Sequence, residues 1–380
     1  MLGANRKFKV IHVITGLGVG GAERTLFNIC RKLKGYEHIV VSLTGEGYYS
    51  GLLLKEGISV HHLNLKRVFG IYSSLIYFNN LIRIEKPDII QTWLYHGDFF
   101  GGILGKLNRI GCIVWNIRHE NLNPRYNKFT TLIIVKILSK LSYYIPSKIV
   151  TCSHAGMKSH LQYGYSDNFE IIPNGIDIHL RNVREPMLVL PKLQLNGLFI
   201  IGMAARYDVL KGYDYFLEAL SIFKIKCPNF LCLMAGDNIC SSNKDLVFKI
   251  QHWGLVNNIQ LLGRTEDMLG FYNSIDVLVS SSLGEGFPNV IAEAMACGVP
   301  CVATDVGDSK VIMNNYGWVV PSSNSGELHC AISSSYDMFQ QNKESWMRLK
   351  CLVKRQIELN FSSELMIGKY NDMWLKLVDI

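Results

Sequence analysis

DVLVSSSLGEGFPNVIAEAMACGVPCVATDVG, residues 276–307, is the stretch on which the fold turns. It opens with Val277, Leu278 and Val279, an apolar run of buried-strand type. Three serines follow, then Gly284-Glu285-Gly286 and Phe287-Pro288-Asn289. Pro288 has no backbone N–H, so it fits the first helical turn, where that donor lacks an intrahelical partner. Ile291, Ala294 and Met295 recur at helical intervals, and Cys297-Gly298 ends the helix with a residue that tolerates the left-handed region. Residues 299–303 read as the next strand. The unit is strand–loop–helix–strand, with its loop at the carboxyl end of the strand, where parallel α/β sheets bind ligands.

A glycine-bearing loop feeding a helix N-terminus offers unpaired N–H groups and a partial positive charge, which suits a phosphate. Glu285 lies in that loop and Glu293 just over one turn into the helix, with seven residues between them. Two carboxylates do not hold a phosphate; they suit hydroxyl groups, such as those of a sugar and a ribose. An ordinary helix with exposed glutamates gives the same E-x7-E spacing, so the spacing alone does not decide. The whole string, however, resembles the signature of the retaining family-4 glycosyltransferases of the GT-B fold, in which EGFPN, EAMACG and T-x-VG occur together. That resemblance implies that Glu285 binds the donor sugar hydroxyls and Glu293 the nucleotide ribose. It also implies that the backbone of Gly286, Phe287, Pro288, Asn289 and Val290 holds sugar and diphosphate.

At 380 residues the chain suits two domains of ordinary size. A hydrophobic content of 48% excludes disorder. No run of eighteen apolar residues occurs, and the best candidate, residues 130–144, is interrupted by Lys136 and Lys140. Arg6, Lys7 and Lys9 precede an apolar run that alternates like a strand and then turns glycine-rich, so a signal peptide is not expected. Ten cysteines without a C-x-x-C pair or a His/Cys cluster read as reduced thiols of a cytoplasmic protein with no metal site. Residues 1–190 hold 23 Lys+Arg against 12 Asp+Glu, hence +11; residues 191–380 hold 16 against 19, hence −3. A basic first half points to an anionic partner. No nucleic-acid motif is present, so the expected partner is an anionic membrane face, met peripherally.

Residues 9–15 read as a strand, and Gly16-Leu17-Gly18-Val19-Gly20-Gly21 precedes a helix over 22–34. The loop formally satisfies G-x-G-x-x-G, a dinucleotide signature, and Glu46 after the second strand keeps that reading open. GG-AER also resembles the first loop of family-4 enzymes, which implies that Gly18, Gly20 and Gly21 approach the diphosphate. Further on, a strand at 59–63, a helix at 73–86 and a strand at 89–92 lead to Trp93-Leu94-Tyr95-His96-Gly97-Asp98 and a helix to about 108. This segment looks like the W-x-Y-H words of surface-polysaccharide and lipopolysaccharide enzymes, which places His96 and Asp98 on the acceptor side. A capping aspartate and a buried histidine explain the pair equally well. After a strand at 112–117, the resemblance puts His119 at an active-site histidine near the donor sugar. Residues 127–145 read as a basic amphipathic helix with Lys128, Lys136 and Lys140, of the kind that packs on a sheet or docks on a membrane.

Strands ending at 151 and 172 are followed by Pro173-Asn174-Gly175-Ile176-Asp177, a turn by composition that resembles the family's end-of-domain marker. The expected domains are 1–182 with a returning helix 362–380, and 183–361, joined by a linker at 181–191. A second α/β series starts with a strand at 199–204, and Arg206 and Lys211-Gly212 meet the family pattern R-x4-KG. A planar fork and a point charge at a strand's carboxyl end suit a diphosphate. Strands at 230–235 and 259–262 end near Gly236 and Arg264, which the resemblance sets beside the nucleotide base. After Gly317 the chain reads as helical.

The expectation is therefore α/β: two facing Rossmann-like domains with parallel sheets and a cleft between them. The implied reaction moves a hexose or N-acetylhexosamine from a nucleotide diphosphate sugar, a UDP-sugar, to a hydroxyl of a glycan. The expected acceptor is a lipid-linked surface-polysaccharide intermediate, and His119, Arg206, Lys211 and Glu285 carry the chemistry. No D-x-D metal motif appears, so neither metal nor cofactor is expected. A nucleotide-sugar epimerase or hydrolase on the same fold, and an NAD-dependent oxidoreductase using the Gly16 loop, are the alternatives.

Overall fold

A computed structural model describes residues 7–65, 71–118, 120, 122, 124, 127–177 and 198–378. His119, the linker expected at 181–191 and the expected boundary at 182/183 lie outside the described residues. The chain forms two compact units, Met1–Gly175 with Glu364–Ile380, and Ile176–Ser363.

The first unit is built on a parallel sheet of β1 (Phe8–Ile14), β2 (Tyr36–Ser42), β3 (Ser59–His62), β4 (Ile89–Trp93), β5 (Cys112–Ile117), β6 (Lys148–Thr151) and β7 (Phe169–Ile171), in the order β3-β2-β1-β4-β5-β6-β7. Its central strands are buried along both faces, β4 and β5 at every position, and the polar side chains they carry, Gln91, Thr92 and Asn116, are hydrogen-bonded inside the unit. The helix Ser363–Val378 returns to this unit: Met366, Ile367, Tyr370, Met373 and Trp374 share one apolar cluster with Val10, Ile14, Leu26 and Trp93. Its polar edge is also tied in. Trp374 Nε1 donates to Gln91 Oε1 at 3.0 Å, and Tyr370 Oη accepts from Asn116 Nδ2 at 2.7 Å.

The second unit repeats the plan with β8 (Ile200–Ala204), β9 (Leu231–Ala235), β10 (Ile259–Gly263), β11 (Val277–Ser280), β12 (Cys301–Thr304) and β13 (Trp318–Val320), ordered β10-β9-β8-β11-β12-β13. The helix Tyr213–Lys226 lays Phe216, Leu217, Leu220 and Phe223 into its core. The sequence reading is corrected in three places. The chain does not turn helical directly after Gly317, because Trp318–Val320 is a strand parallel to β12; three residues at a sheet edge are too few to show a period. The basic helix is Phe129–Leu141, shorter at both ends, with Lys128 as its N-cap and Ser142 as its C-cap. The helix after the Gly16 loop stops at Lys32.

Candidate active site

In the second unit β8 and β11 are parallel neighbours, Val277 opposite Ile201 and Leu278 opposite Gly202. The chain leaves β8 toward β9 and leaves β11 toward β12, so the loops following these strands meet where the crossovers diverge. After β8 comes a short 3-10 turn, Val209–Lys211, capped by Asp208, whose carboxylate accepts from Leu210 N–H at 2.9 Å. Gly212 follows at φ +64, and a Cβ there would collide with the carbonyl oxygen of Ser281. A left-handed backbone and the press of the second loop both require glycine at that point.

The two loops are stitched together. Ser281 Oγ donates to Lys211 O at 2.8 Å, and Leu283 N–H to Leu210 O at 2.7 Å. Lys211 Nζ thereby meets the Glu285 carboxylate, whose Oε1 also accepts from Ser282 Oγ at 2.8 Å. The pair is mostly enclosed, with side-chain exposures of 21% and 16%. Behind the glutamate loop stands the T-x-VG segment. Gly307, at φ +57, brings its backbone so close that a Cβ would collide with the Glu285 carbonyl oxygen. Asp308 N–H donates to Gly286 O at 3.0 Å, and Thr304 Oγ1 to Ser282 O at 2.6 Å.

Pro288 is the N-cap, at φ −71 and ψ 89, and the helix Asn289–Ala296 begins one residue after it, rather than with the proline inside the first turn. Asn289 and Val290 therefore form the first turn, and Phe287 is buried with its ring 5.7 Å from that of Phe361. Glu293 is buried on the helix, and Tyr272 Oη donates to its Oε2 at 3.0 Å. Arg206 shares the β8 loop with Lys211 but points outward; its side chain is 64% exposed and its guanidinium lies 3.3 Å from the Asp208 carboxylate. Gly236 and Arg264 directly follow the neighbouring strands β9 and β10. Gly236 N–H donates to Gly263 O at 2.8 Å, and Arg264 pairs loosely with Asp237 at 3.9 Å, both side chains exposed.

In the first unit, β1 and β4 are the neighbours from which the chain diverges. Gly18 is exposed, Gly20 is the N-cap of the helix Gly21–Lys32, and Gly21 opens that helix. Leu94, the first residue after β4, holds φ +66, a strained value for a bulky side chain at the carboxyl end of the strand. His96 is half-buried in the helix Leu94–Leu107, and burial lowers its pKa. Asp98 departs from the acceptor-side expectation. It has no accessible surface, and its Oδ1 accepts from Thr92 Oγ1 and from Asn116 N–H at 3.3 Å. Nor does it cap the helix, which has no side-chain cap. Arg118, the residue after β5, makes a fork that no motif signalled. Its Nε donates to Asn116 Oδ1 at 2.8 Å, its terminal nitrogens to Asn174 Oδ1 and Tyr370 Oη, and its guanidinium lies 5.3 Å from the Trp93 ring.

One group among the described residues has metal-ligand chemistry: His12, Cys30 and His38, all buried, with ligand atoms within 4.8 Å of one another. Hydrogen bonding already occupies its ring nitrogens. The Leu33 carbonyl can only accept, so His38 Nε2 donates to it at 2.9 Å, and His38 Nδ1 then accepts from His12 Nε2 at 3.0 Å. That leaves His12 Nδ1 to accept from Trp93 Nε1 at 3.3 Å. Burial keeps both imidazoles neutral, with the His38 pKa lowered to about 4. The group is a satisfied relay in the core and offers no imidazole lone pair to an ion.

Comparison with known proteins agrees with this architecture. The profile of "Glycosyltransferase Family 4" matches residues 19–180, and that of "Glycosyl transferases group 1" matches residues 198–337. A capsular polysaccharide biosynthesis glycosyltransferase of Staphylococcus aureus, CapM, is 23% identical over 96% of each chain. The UDP-Gal:alpha-D-GlcNAc-diphosphoundecaprenol alpha-1,3-galactosyltransferase of Escherichia coli is 26% identical over 64% of each. Among solved structures, Anabaena HepE in complex with UDP superposes with a TM-score of 0.82 at 21% identity, over 97% of this chain and 100% of that one. With both profiles matched in order and two parallel-sheet units of the expected kind, the chain belongs to the family-4 glycosyltransferases of the GT-B fold.

Proposed function

We propose that this enzyme moves a hexose or N-acetylhexosamine from a UDP-sugar to a hydroxyl of a lipid-linked glycan in surface polysaccharide synthesis, with retention of configuration and without a metal ion. The observation that carries the reading is the meeting of Lys211 and Glu285 beside the Asn289–Ala296 helix start, with Glu293 buried one turn further on. A diphosphate competes for the Lys211 ammonium with more negative charge than the carboxylate has, and takes further neutralisation from Arg206 and the helix terminus. Glu285, relieved of its partner, accepts from the sugar hydroxyls. The bond from the anomeric carbon to the phosphate oxygen breaks while that to the acceptor oxygen forms on the same face. The acceptor's proton passes to the departing phosphate oxygen, so no protein nucleophile is consumed. His119 is assigned to the donor sugar and His96 to the acceptor. UDP is favoured because it is bound by HepE and named in the donor of the Escherichia coli relative. That relative's name also gives a lipid-diphosphate acceptor.

A lipid-linked acceptor calls for a membrane, and the helix Phe129–Leu141 is suited to meet one. It buries Val135, Leu138 and Ser139 and turns Phe129, Ile133 and Ile137 outward at four-residue intervals. Ile133, Lys136, Ile137, Lys140 and Leu141 line a shallow hollow of about 400 Å³, and the exposed rings of Tyr143 and Tyr144 follow. Apolar side chains rimmed by lysines, with tyrosines at their border, fit the headgroup boundary of an anionic bilayer. No helix among the described residues is long and apolar enough to cross it.

The test is a thermal-shift panel of nucleoside diphosphates, nucleotide sugars and NAD. A ligand at a hundred times its Kd stabilises by about 2.7 kcal/mol, which a melting curve resolves. The reading expects UDP and a UDP-sugar to shift the transition and NAD to leave it in place. A response to NAD alone overturns it.

A further inference from the structure

We infer that Tyr272 is a positioning residue for the donor nucleotide: it holds the Glu293 carboxylate in the orientation that engages the ribose hydroxyls. The inference rests on the reading of Glu293 as the ribose-binding group.

Tyr272 lies on the short helix Met268–Asn273, which ends just before β11, while Glu293 lies on the helix that follows β11. The tyrosine thus bridges the elements on either side of the strand that leads to the Glu285 loop. Its side chain has no accessible surface, and the Phe271 ring meets it edge-on at 5.5 Å, so packing fixes where its hydroxyl can point. That hydroxyl donates to Glu293 Oε2 at 3.0 Å.

The surroundings make this contact costly as mere architecture. Ile291, Ala292, Ala294, Met295 and Ala296 are all buried on the same helix, and Glu293 is the charged residue set among them. Replacing a buried hydrogen-bonded pair by apolar groups of similar shape is commonly neutral or stabilising, so a core alone has no need of this glutamate. A carboxylate has lone pairs for about four hydrogen bonds. The tyrosine therefore fixes the group's plane without exhausting its capacity to accept from a diol. Two adjacent ribose hydroxyls reward such fixing, because both bonds form only when the plane is right.

The experiment uses the full chain and titrates, by calorimetry, whichever of UDP, GDP, ADP and CDP binds best, together with its 2′,3′-dideoxy counterpart. The unaltered protein is expected to prefer the ribonucleotide. Tyr272→Phe keeps the ring and removes only the hydroxyl; it should cut that preference about tenfold, equivalent to about 1.4 kcal/mol, through weaker ribonucleotide binding alone. Glu293→Gln should cut it at least as far. Equal weakening of both ligands by Tyr272→Phe would mark a role in folding only, and would overturn the inference, as would an unchanged preference. If Glu293→Gln abolishes the preference while Tyr272→Phe keeps it, the inference fails and the ribose reading stands. If the unaltered protein shows no preference, the ribose reading falls and takes the inference with it.

Discussion

Replacing Asp98 by asparagine should flatten the pH dependence of stability across the neutral range. Burial pushes the Asp98 carboxyl up from its ordinary 3.8 to about 7, against the opposing hydrogen bonds from Thr92 and from the Asn116 N–H. Its Oδ2 has no partner among the described residues. The folded state thus holds a proton that the unfolded chain has released over the window between these two values. Stability conferred by the neutral form is complete below about pH 4 and is lost as the pH rises through 7. A gap of about three pKa units corresponds to roughly 4 kcal/mol in all, and between pH 5 and pH 8 to about 2.5 kcal/mol. Asparagine does not titrate. It leaves an amide in place of Oδ2, so the variant carries a constant cost while losing the slope. Urea unfolding followed by tryptophan fluorescence at pH 5, 6.5 and 8 measures this, since Trp93, Trp115 and Trp374 are buried in the same unit. With a urea slope of about 2 kcal/mol/M, the difference between the two midpoints should change by roughly 1 M across that range. Parallel midpoint curves for the two proteins would refute the buried, neutral aspartate.

Two further outcomes test the proposed chemistry and its setting. Lys211→Ala should lower the rate of sugar transfer by more than it lowers donor affinity. The ammonium's charge-assisted contact, worth about 1.5–3 kcal/mol, strengthens as charge gathers on the departing diphosphate; equal losses in steady-state rate and in calorimetric affinity would remove the leaving-group role. Binding to anionic vesicles should fall with added salt and fall again in a Lys136→Glu, Lys140→Glu variant, by more than about tenfold at about 1 kcal/mol per lysine removed. Sedimentation that ignores both salt and charge would show the helix to be structural.

What could be read in advance was whatever the backbone itself demands. KG and VG are legible because Gly212 and Gly307 sit at positive φ with a neighbouring carbonyl where a Cβ would be, so the chain has no other residue to offer there. The apolar run Val277-Leu278-Val279 announced β11, which is buried at every position. What escaped depends on partners distant in sequence. Tyr272 and Glu293 are 21 residues apart and share no period. Trp374 finds Gln91 across 283 residues, and Asp98 looks like a helix-start acid until the fold shows it buried against β4 and β5.

The sheet order explains why the motifs gather as they do. In each unit the first strand pairs with the fourth, β1 with β4 and β8 with β11, because the chain runs outward through two strands and then crosses back to the other side. A loop after the first strand and a loop after the fourth are far apart in sequence and adjacent in space. Lys211 and Glu285, separated by 74 residues, come into contact by that route. The same step sets the Gly16 loop of the first unit beside the strained turn at Leu94 and the half-buried His96. The paired residues at each point belong to neither motif alone; the parallel pairing of first and fourth strands joins them, and disrupting the β8–β11 register would separate Lys211 from Glu285 while leaving both motifs intact in the sequence.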